Sequence, residues 1–275
     1  MASPTKLKGL AMRADAVPSL ARVWADHRRG LLGWGLALAG ITVLYLAFWP
    51  MMGADMQAML DGLPEALIRA LGYDRIGTAA GYLEAVIYGL LGPVLLLVYG
   101  IGLGGRVIAG QEEDGTLELD LAAPVGRARL YWQRLAAVWT LITALVAITT
   151  LAVLVSGPLF GLGVPTVNVL AASLAMWLLV GGFTTIALAV GAATGRRGIG
   201  VAAAAGLATL AYVFRSVADA VGVDVLATLS PFAWMLASEP LVNGFDAFGA
   251  AKLGLLSVVA APLGAWRFAR RDLMV

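Results

Sequence analysis

The chain has no cysteine and a single histidine among its 275 residues. Without a thiol there is no disulfide, no thiolate nucleophile, and no zinc–thiolate or iron–sulfur site. The histidine, His27, sits beside Arg28 and Arg29, so neither a histidine metal cluster nor a Ser/His/Asp triad can be assembled. No catalytic or metal-ligating set is expected. The run G-x-x-x-x-G-K-[ST] is also missing, and "GAATGRRG" at 191–198 is not a phosphate-cradling loop. Charge is scarce: 13% of residues carry one, against about 25% in a soluble domain. The formal net charge is only +2, which leaves no nucleic-acid footprint. Charges run through the first 30 residues without the apolar core of a cleavable signal peptide, so none is expected.

What the chain has in quantity is apolar residues. They make up 60% of it, and the mean hydropathy is +0.87. Soluble domains average about 45–50%. This composition predicts an all-α integral membrane protein. A hydrocarbon core about 30 Å thick takes roughly 17–25 apolar residues in helix. Six stretches qualify, at approximately 31–50, 83–105, 135–156, 169–193, 198–215 and 247–266, after a leader of residues 1–30. They form one transmembrane domain over 1–275. Trp34, Tyr45 and Trp49 lie toward the ends of the first stretch as interfacial anchors. Pro93 predicts a kink in the second, and "TGRRG" leaves only a tight turn between the fourth and fifth.

The basic residues fix the orientation. With the N-terminus in the cytoplasm, 15 of the 19 lysines and arginines fall inside; Arg69, Arg75, Arg215 and Lys252 fall outside. Loops rich in Lys and Arg stay on the cytoplasmic side, so both termini are expected there. The abundance of arginine and alanine hints at a GC-rich bacterial genome without deciding the source; the expected location is a bacterial cytoplasmic membrane.

Several segments outside the spans show helical periodicity. Residues 19–29, "SLARVWADHRR", place Leu20, Val23 and Trp24 opposite Arg22, Asp26 and Arg29. They read either as an amphipathic helix on the inner surface or as a solvated basic leader. On the outer side, Met56, Met59, Leu60, Leu63, Leu67 and Leu71 repeat at helical spacing over 55–71. The last outer loop, roughly 216–246, is apolar but interrupted by Pro231 and Pro240. Two short helices forming a re-entrant pair are expected there, their ends buried by protein. Two GxxxG matches, Gly100/Gly104 and Gly191/Gly195, support close helix packing at most.

Residues 106–129 pack eight charges between two apolar spans: Arg106, Glu112, Glu113, Asp114, Glu118, Asp120, Arg127 and Arg129. Each would cost about 2.5–3.5 kcal/mol at bilayer depth, so the stretch stays in water. "EEDGTLELDLAAP" predicts an acidic start, its acids suited to the first turn of a helix, then Asp114–Gly115 as a turn, then a short helix with Leu117 and Leu121 on one face and Pro124 as its stop.

The stretch "IAGQEEDGTLELDLAAPVGRARL" resembles the signature of ABC-2-type permeases, the membrane subunits of ATP-binding-cassette exporters. Glu112, Glu113, Gly115, Thr116, Leu117, Glu118, Leu121, Pro124, Val125 and Arg127 carry the match, while Asp120 stands where the family usually has leucine. "LSPFAW" at 229–234 and the ending "RFARRDLMV" support it. The resemblance implies a type V exporter fold, with an amphipathic N-terminal helix, a coupling helix after span two and a re-entrant pair before span six. It also implies two copies of a cytoplasmic ATPase subunit and a second permease, identical or homologous. ATP and magnesium would belong to the ATPase; no cofactor is expected on this chain, whose remaining contacts are with membrane lipid. The matching residues Glu112, Glu113, Gly115, Thr116, Leu117, Glu118, Leu121, Pro124 and Arg127 would then couple it to the ATPase.

Three ionisable residues near the outer ends of the spans, Glu84, Arg215 and Lys252, are candidate substrate contacts, although snorkelling to the interface explains such positions equally. Thr140, Thr143, Thr149, Thr184 and Thr185 are expected to bond their own helix backbone. A secondary transporter driven by an ion gradient is the alternative. It calls for inverted repeats, broken helices and mid-membrane carboxylates, which the spans hardly show.

Overall fold

Hydropathy and punctuation together set the order of elements. The computed structural model describes residues 18–60, 77–117, 126–221 and 224–271. In chain order they form α1 (Pro18–Leu60), α2 (Ala79–Glu113), α3 (Arg127–Leu159), α4 (Thr166–Thr194) and α5 (Arg197–Val221). Three short helices follow, α6 (Asp224–Leu229), α7 (Pro231–Leu236) and α8 (Pro240–Asn243), and then α9 (Ala247–Arg270). Among the described residues, six helices are long and apolar enough to cross a membrane: α1 to α5 and α9.

The six expected spans are present, but several run past their expected ends. No break separates the leader from the first span. α1 continues for 43 residues because only isolated glycines, Gly30, Gly33, Gly35 and Gly40, interrupt it before Pro50, and single glycines weaken a helix without ending it. Its described part is held against α3: Val23 is buried, and the Trp24 indole donates to Thr140 Oγ1 at 3.0 Å; residues 1–17 of the leader lie outside the described residues. Part of the periodic segment expected on the outer side, up to Leu60, is the end of α1 itself; residues 61–71 lie outside the described residues.

α2 begins near the expected residue and ends eight later, at Glu113 instead of 105. Its course is uneven. Residues Glu84–Leu91 and Arg106–Gly110 are π-helical. The first of these answers the expectation of a proline kink. Pro93 has no N–H, and its ring would press on the carbonyl four residues back. The wider turn just before it, closed by Gly92 N–H to Ile87 O, gives that carbonyl room.

α4 is the central helix and touches α2, α3, α5 and α9. Met176, Leu179, Val180 and Leu188 on it are sealed from solvent. Its approach to α2 is close at the first GxxxG: a Cβ on Gly104 would stand 2.6 Å from Thr184 O. Dry interiors also demand that every polar hydrogen find an acceptor. The Tyr88 hydroxyl, fully buried, pairs with Ser173 Oγ at 2.8 Å. Trp139 and Trp177 donate their indole N–H groups to Thr185 and Thr143. Those threonines also bond backward within their helices, as do Thr140 and Thr149. Thr184 is the exception to the expected pattern; its buried hydroxyl has no partner.

Where two short helices were expected before the last span, the chain forms three. Pro231 and Pro240 each open one, since proline's missing N–H does no harm in a first turn. Ser230 caps α7 through Ala233 N–H and donates to Ala211 O at 2.6 Å. Asn168 at the start of α4 donates to Leu241 O and Val242 O, which ties α8 to the central helix. Asp246 caps α9 by accepting from Phe248 N–H.

Candidate functional site

The charged stretch after the second span turns out to begin inside α2. Glu112 and Glu113 occupy the last helical turn, and the residues after them end it. Thr116 N–H reaches back to Gln111 O at 2.9 Å and Gly115 N–H to Glu112 O at 3.1 Å. This double bridge is a Schellman motif, which needs a left-handed residue just past the helix. Gly115 supplies it with φ +67°. The reading of Asp114–Gly115 as a turn stands, but the acids are a helix end and not a helix beginning.

That correction reverses the electrostatics. A carboxylate in a first turn is favoured by the helix dipole, and in a last turn it is disfavoured by about 0.3–1 kcal/mol. Both glutamates are therefore compensated from elsewhere in the chain. Arg271, just past α9, lays its guanidinium fork on Glu112: Nη1 bonds Oε1 at 2.8 Å and Nη2 bonds Oε2. The pair is sheltered, its side chains 8% and 5% exposed. The same guanidinium donates from Nε to Ala192 O at 2.7 Å, and the Arg271 carbonyl accepts from Arg127 Nη1 at 2.6 Å. Glu113 Oε1 accepts the backbone N–H of Arg197 at 2.9 Å. It thus serves as a cap for the first turn of α5, where a carboxylate is favoured.

The turn between α4 and α5 is shaped for this contact. Gly195 takes φ +71°, and a Cβ there would meet Arg271 Nη1 at 2.8 Å and Glu112 Oε1 at 3.0 Å. The second GxxxG match is accordingly a divided one. Gly191 packs beside Ala109 and Gly105, while Gly195 is the left-handed cap of α4.

Four elements meet in this knot: the end of α2, the start of α3, the α4–α5 turn and the residue after α9. Of the residues matched to the permease signature, Glu112, Glu113, Gly115 and Arg127 take part directly. Thr116 closes the cap with its backbone N–H and its hydroxyl, both directed to Gln111 O. Leu117 is buried, with 1% of its surface exposed. Glu118, Leu121, Pro124 and Val125 lie outside the described residues, so the expected helix face shared by Leu117 and Leu121 is undescribed. Two expectations change here. Glu112 has its cation within this chain, and Leu117 packs inward instead of offering itself to a partner.

Sequence reading missed the roles of Arg271 and Arg197: Arg197 counted only as a topology charge, and Arg271 as one more such charge within the ending "RFARRDLMV". The signal for Arg271 was there in outline, as an arginine pair after an apolar span. Arg134, also counted only for topology, is buried in α3.

The three outer candidates do not converge. Glu84 and Arg215 both border Gly89: a Cβ there would lie 2.9 Å from Glu84 O and 3.8 Å from Arg215 Nη1. Arg215 therefore lies over the first π-helical stretch of α2. Lys252 belongs elsewhere, against the rings of Phe248 and Trp234. Among the described residues no group of His, Asp and Glu is placed to hold a metal. The knot bonds the end of α2 to the α4–α5 turn and to the residue after α9, and that residue to the start of α3.

Comparison with known proteins bears on the whole chain. Residues 20–273 match a family model described as ABC-2 family transporter protein. No curated protein and no solved structure matches the chain.

Proposed function

The chain belongs to the ABC-2 family of transporter proteins, and from that premise we propose that it is the permease subunit of an ATP-binding-cassette exporter. It is a multi-pass membrane protein and a transport component. In this reading it lies in the bacterial cytoplasmic membrane with the basic end inside. It pairs with a second permease, identical or homologous, and works with two ATPase subunits that hold the ATP and magnesium. The type V arrangement follows from the same reading, with α6 to α8 dipping into the outer leaflet before α9.

The observation that carries the proposal is the knot beside the α2–α3 connection. Residues 114–126 leave α2 directly from the Schellman cap and enter α3 at Arg127, and both of those points are bonded to Arg271. A partner that pushes on this connection moves α2, α3, the α4–α5 turn and α9 together. Coupling is then a displacement of packed helix ends, with the connection as the seat of the ATPase. Glu118, Leu121 and Pro124 are retained as contacts of that seat. The roles of Glu112 and Glu113 shift to holding the seat on the bundle.

The test is co-purification followed by transport. The full chain should bring down a soluble ATPase, and substrate movement should stop when the ATPase's catalytic residue is changed. Asp114→Arg, an exposed change on the connection, should lower ATPase capture while leaving the permease's own melting unchanged. Transport by the permease alone, driven only by a proton or sodium gradient, would refute the proposal.

A further inference from the structure

Two arginines near the end of α9 are used by nothing described so far. Arg267 and Arg270 are exposed, and the Arg270 guanidinium lies 4.9 Å from the centroid of the Trp266 ring, itself exposed. Among the described residues neither arginine makes an ion pair. They stand at the foot of an apolar groove of about 520 Å³ between α4, α5 and α9. Leu255, Val259 and Leu263 form its α9 wall, and it runs down to Ala193 and Gly264, beside the basic-end knot. Continued past Leu263 at helical spacing, that row brings Trp266, Arg267 and then Arg270 to the same flank.

Two observations set the depth of this end. Exposed arginines without an acid are too costly to hold in hydrocarbon, so the flank meets the membrane surface at Arg267 and Arg270. The bond from Arg271 to Glu112 puts the same level beside the point where α2 stops and the exposed residues Asp114, Gly115 and Thr116 begin. From Gly264 back to Leu255 the α9 wall rises about 14 Å, close to half of a hydrocarbon core of about 30 Å. Lys252 lies beyond that depth, against the rings of Phe248 and Trp234. An apolar slot one leaflet deep, with two uncompensated guanidinium groups at its mouth, is complementary to an amphiphile with an anionic head. The geometry points to a site for an anionic phospholipid of the leaflet at the basic end. Its phosphate bridges Arg267 and Arg270, whose planar forks match phosphate oxygens, and one acyl chain lies in the groove along α9. Lys252 takes no part. A second copy of the chain covering this face would have to bring acids to both arginines, and a transported amphiphile would have to leave during turnover.

The full chain, purified in mild detergent and titrated with phosphatidylglycerol or phosphatidylcholine, tests this by native mass spectrometry of bound lipid. Phosphatidylglycerol should be retained about 25-fold more strongly, about fivefold for each cation near an anionic head group. Arg267→Gln and Arg270→Gln should each lower that ratio to about five, and the double variant to about one. Lysine at both positions should keep most of it, and Lys252→Gln should leave it unchanged. Ala260→Phe, which fills the groove, should reduce retention of both lipids. An unchanged ratio in the double glutamine variant overturns the site, as does a ratio that falls in Lys252→Gln, or undiminished binding in Ala260→Phe. Because the chain has no native cysteine, Leu255→Cys reports on the competing occupant, and efficient cross-linking between two copies would assign this face to a dimer instead. Loss of labelled phosphatidylglycerol from the permease–ATPase complex upon ATP turnover would make the lipid cargo and also overturn the proposal.

Discussion

Replacing Arg271 by alanine should damage the protein more than replacing Glu112, although the two residues share one ion pair. The asymmetry follows from what each substitution leaves behind. Glu112 is fixed in the last turn of α2, its side chain 5% exposed and near the negative end of the helix dipole. With Arg271 gone, that carboxylate loses its two-pronged guanidinium partner in a sheltered place, a loss of up to about 3–5 kcal/mol. Arg271 is placed differently. It follows α9 in extended backbone, and its long side chain can turn its charged head toward water. It also keeps its bond to Ala192 O. Glu112→Ala should therefore cost only the charge-assisted hydrogen bonds, about 1.5–3 kcal/mol. The double variant should lie close to Glu112→Ala alone. Removing the carboxylate from the Arg271→Ala background should then restore roughly 1–2 kcal/mol, the difference between the two ranges. Thermal unfolding of the detergent-purified chain measures the ranking, and hydrogen exchange at the α4–α5 turn locates the loosening. If Glu112→Ala is the more damaging change, or if the double variant is the least stable of the three, the pair is not what holds the basic end together.

Gly195→Ala should resemble Arg271→Ala in the same exchange experiment, because a left-handed non-glycine costs about 1–2 kcal/mol and its methyl group would displace the guanidinium; wild-type protection at residues 192–198 would count against it. Glu113→Gln should be mild, below about 1 kcal/mol, since the carboxylate is exposed and its cap on Arg197 is screened by water; a loss comparable to Arg271→Ala would show that the cap carries more than its geometry suggests. Leu117→Asp should destabilise the permease itself, by about 2–5 kcal/mol for a charge forced into a buried apolar position, so its melting temperature should fall before any partner is added. Accessibility reporters near residues 3, 115, 197 and 273 should be cytoplasmic and those near 62, 162 and 235 external; an internal signal at 235 would remove the six-span topology.

Much of the fold was legible because hydropathy is local and additive. Each span needs only enough consecutive apolar residues to cross the core, and all six expected stretches lie within helices of sufficient length. Proline positions were equally readable: Pro231 and Pro240 start short helices for reasons contained in the residue itself. Helix ends were less so. The acids at 112–113 read as the opening of a new helix because the dipole favours them there. In the structure, packing against α4 and α5 carries α2 on to Glu113, and the Schellman cap at Gly115 stops it.

The sequence by itself determined that the chain is helical and membrane-spanning, with six stretches long and apolar enough to cross, and that it carries no thiol. Each of these follows from composition or from runs of neighbouring residues. Only the tertiary structure decided what the charged patch does. Arg271 reaches Glu112 across 159 positions, and Arg197 reaches Glu113 across 84. Such partners depend on which helix ends lie side by side, and no local periodicity encodes that. A buried carboxylate takes whichever cation the packing brings within reach, so its partner is settled when the helices assemble.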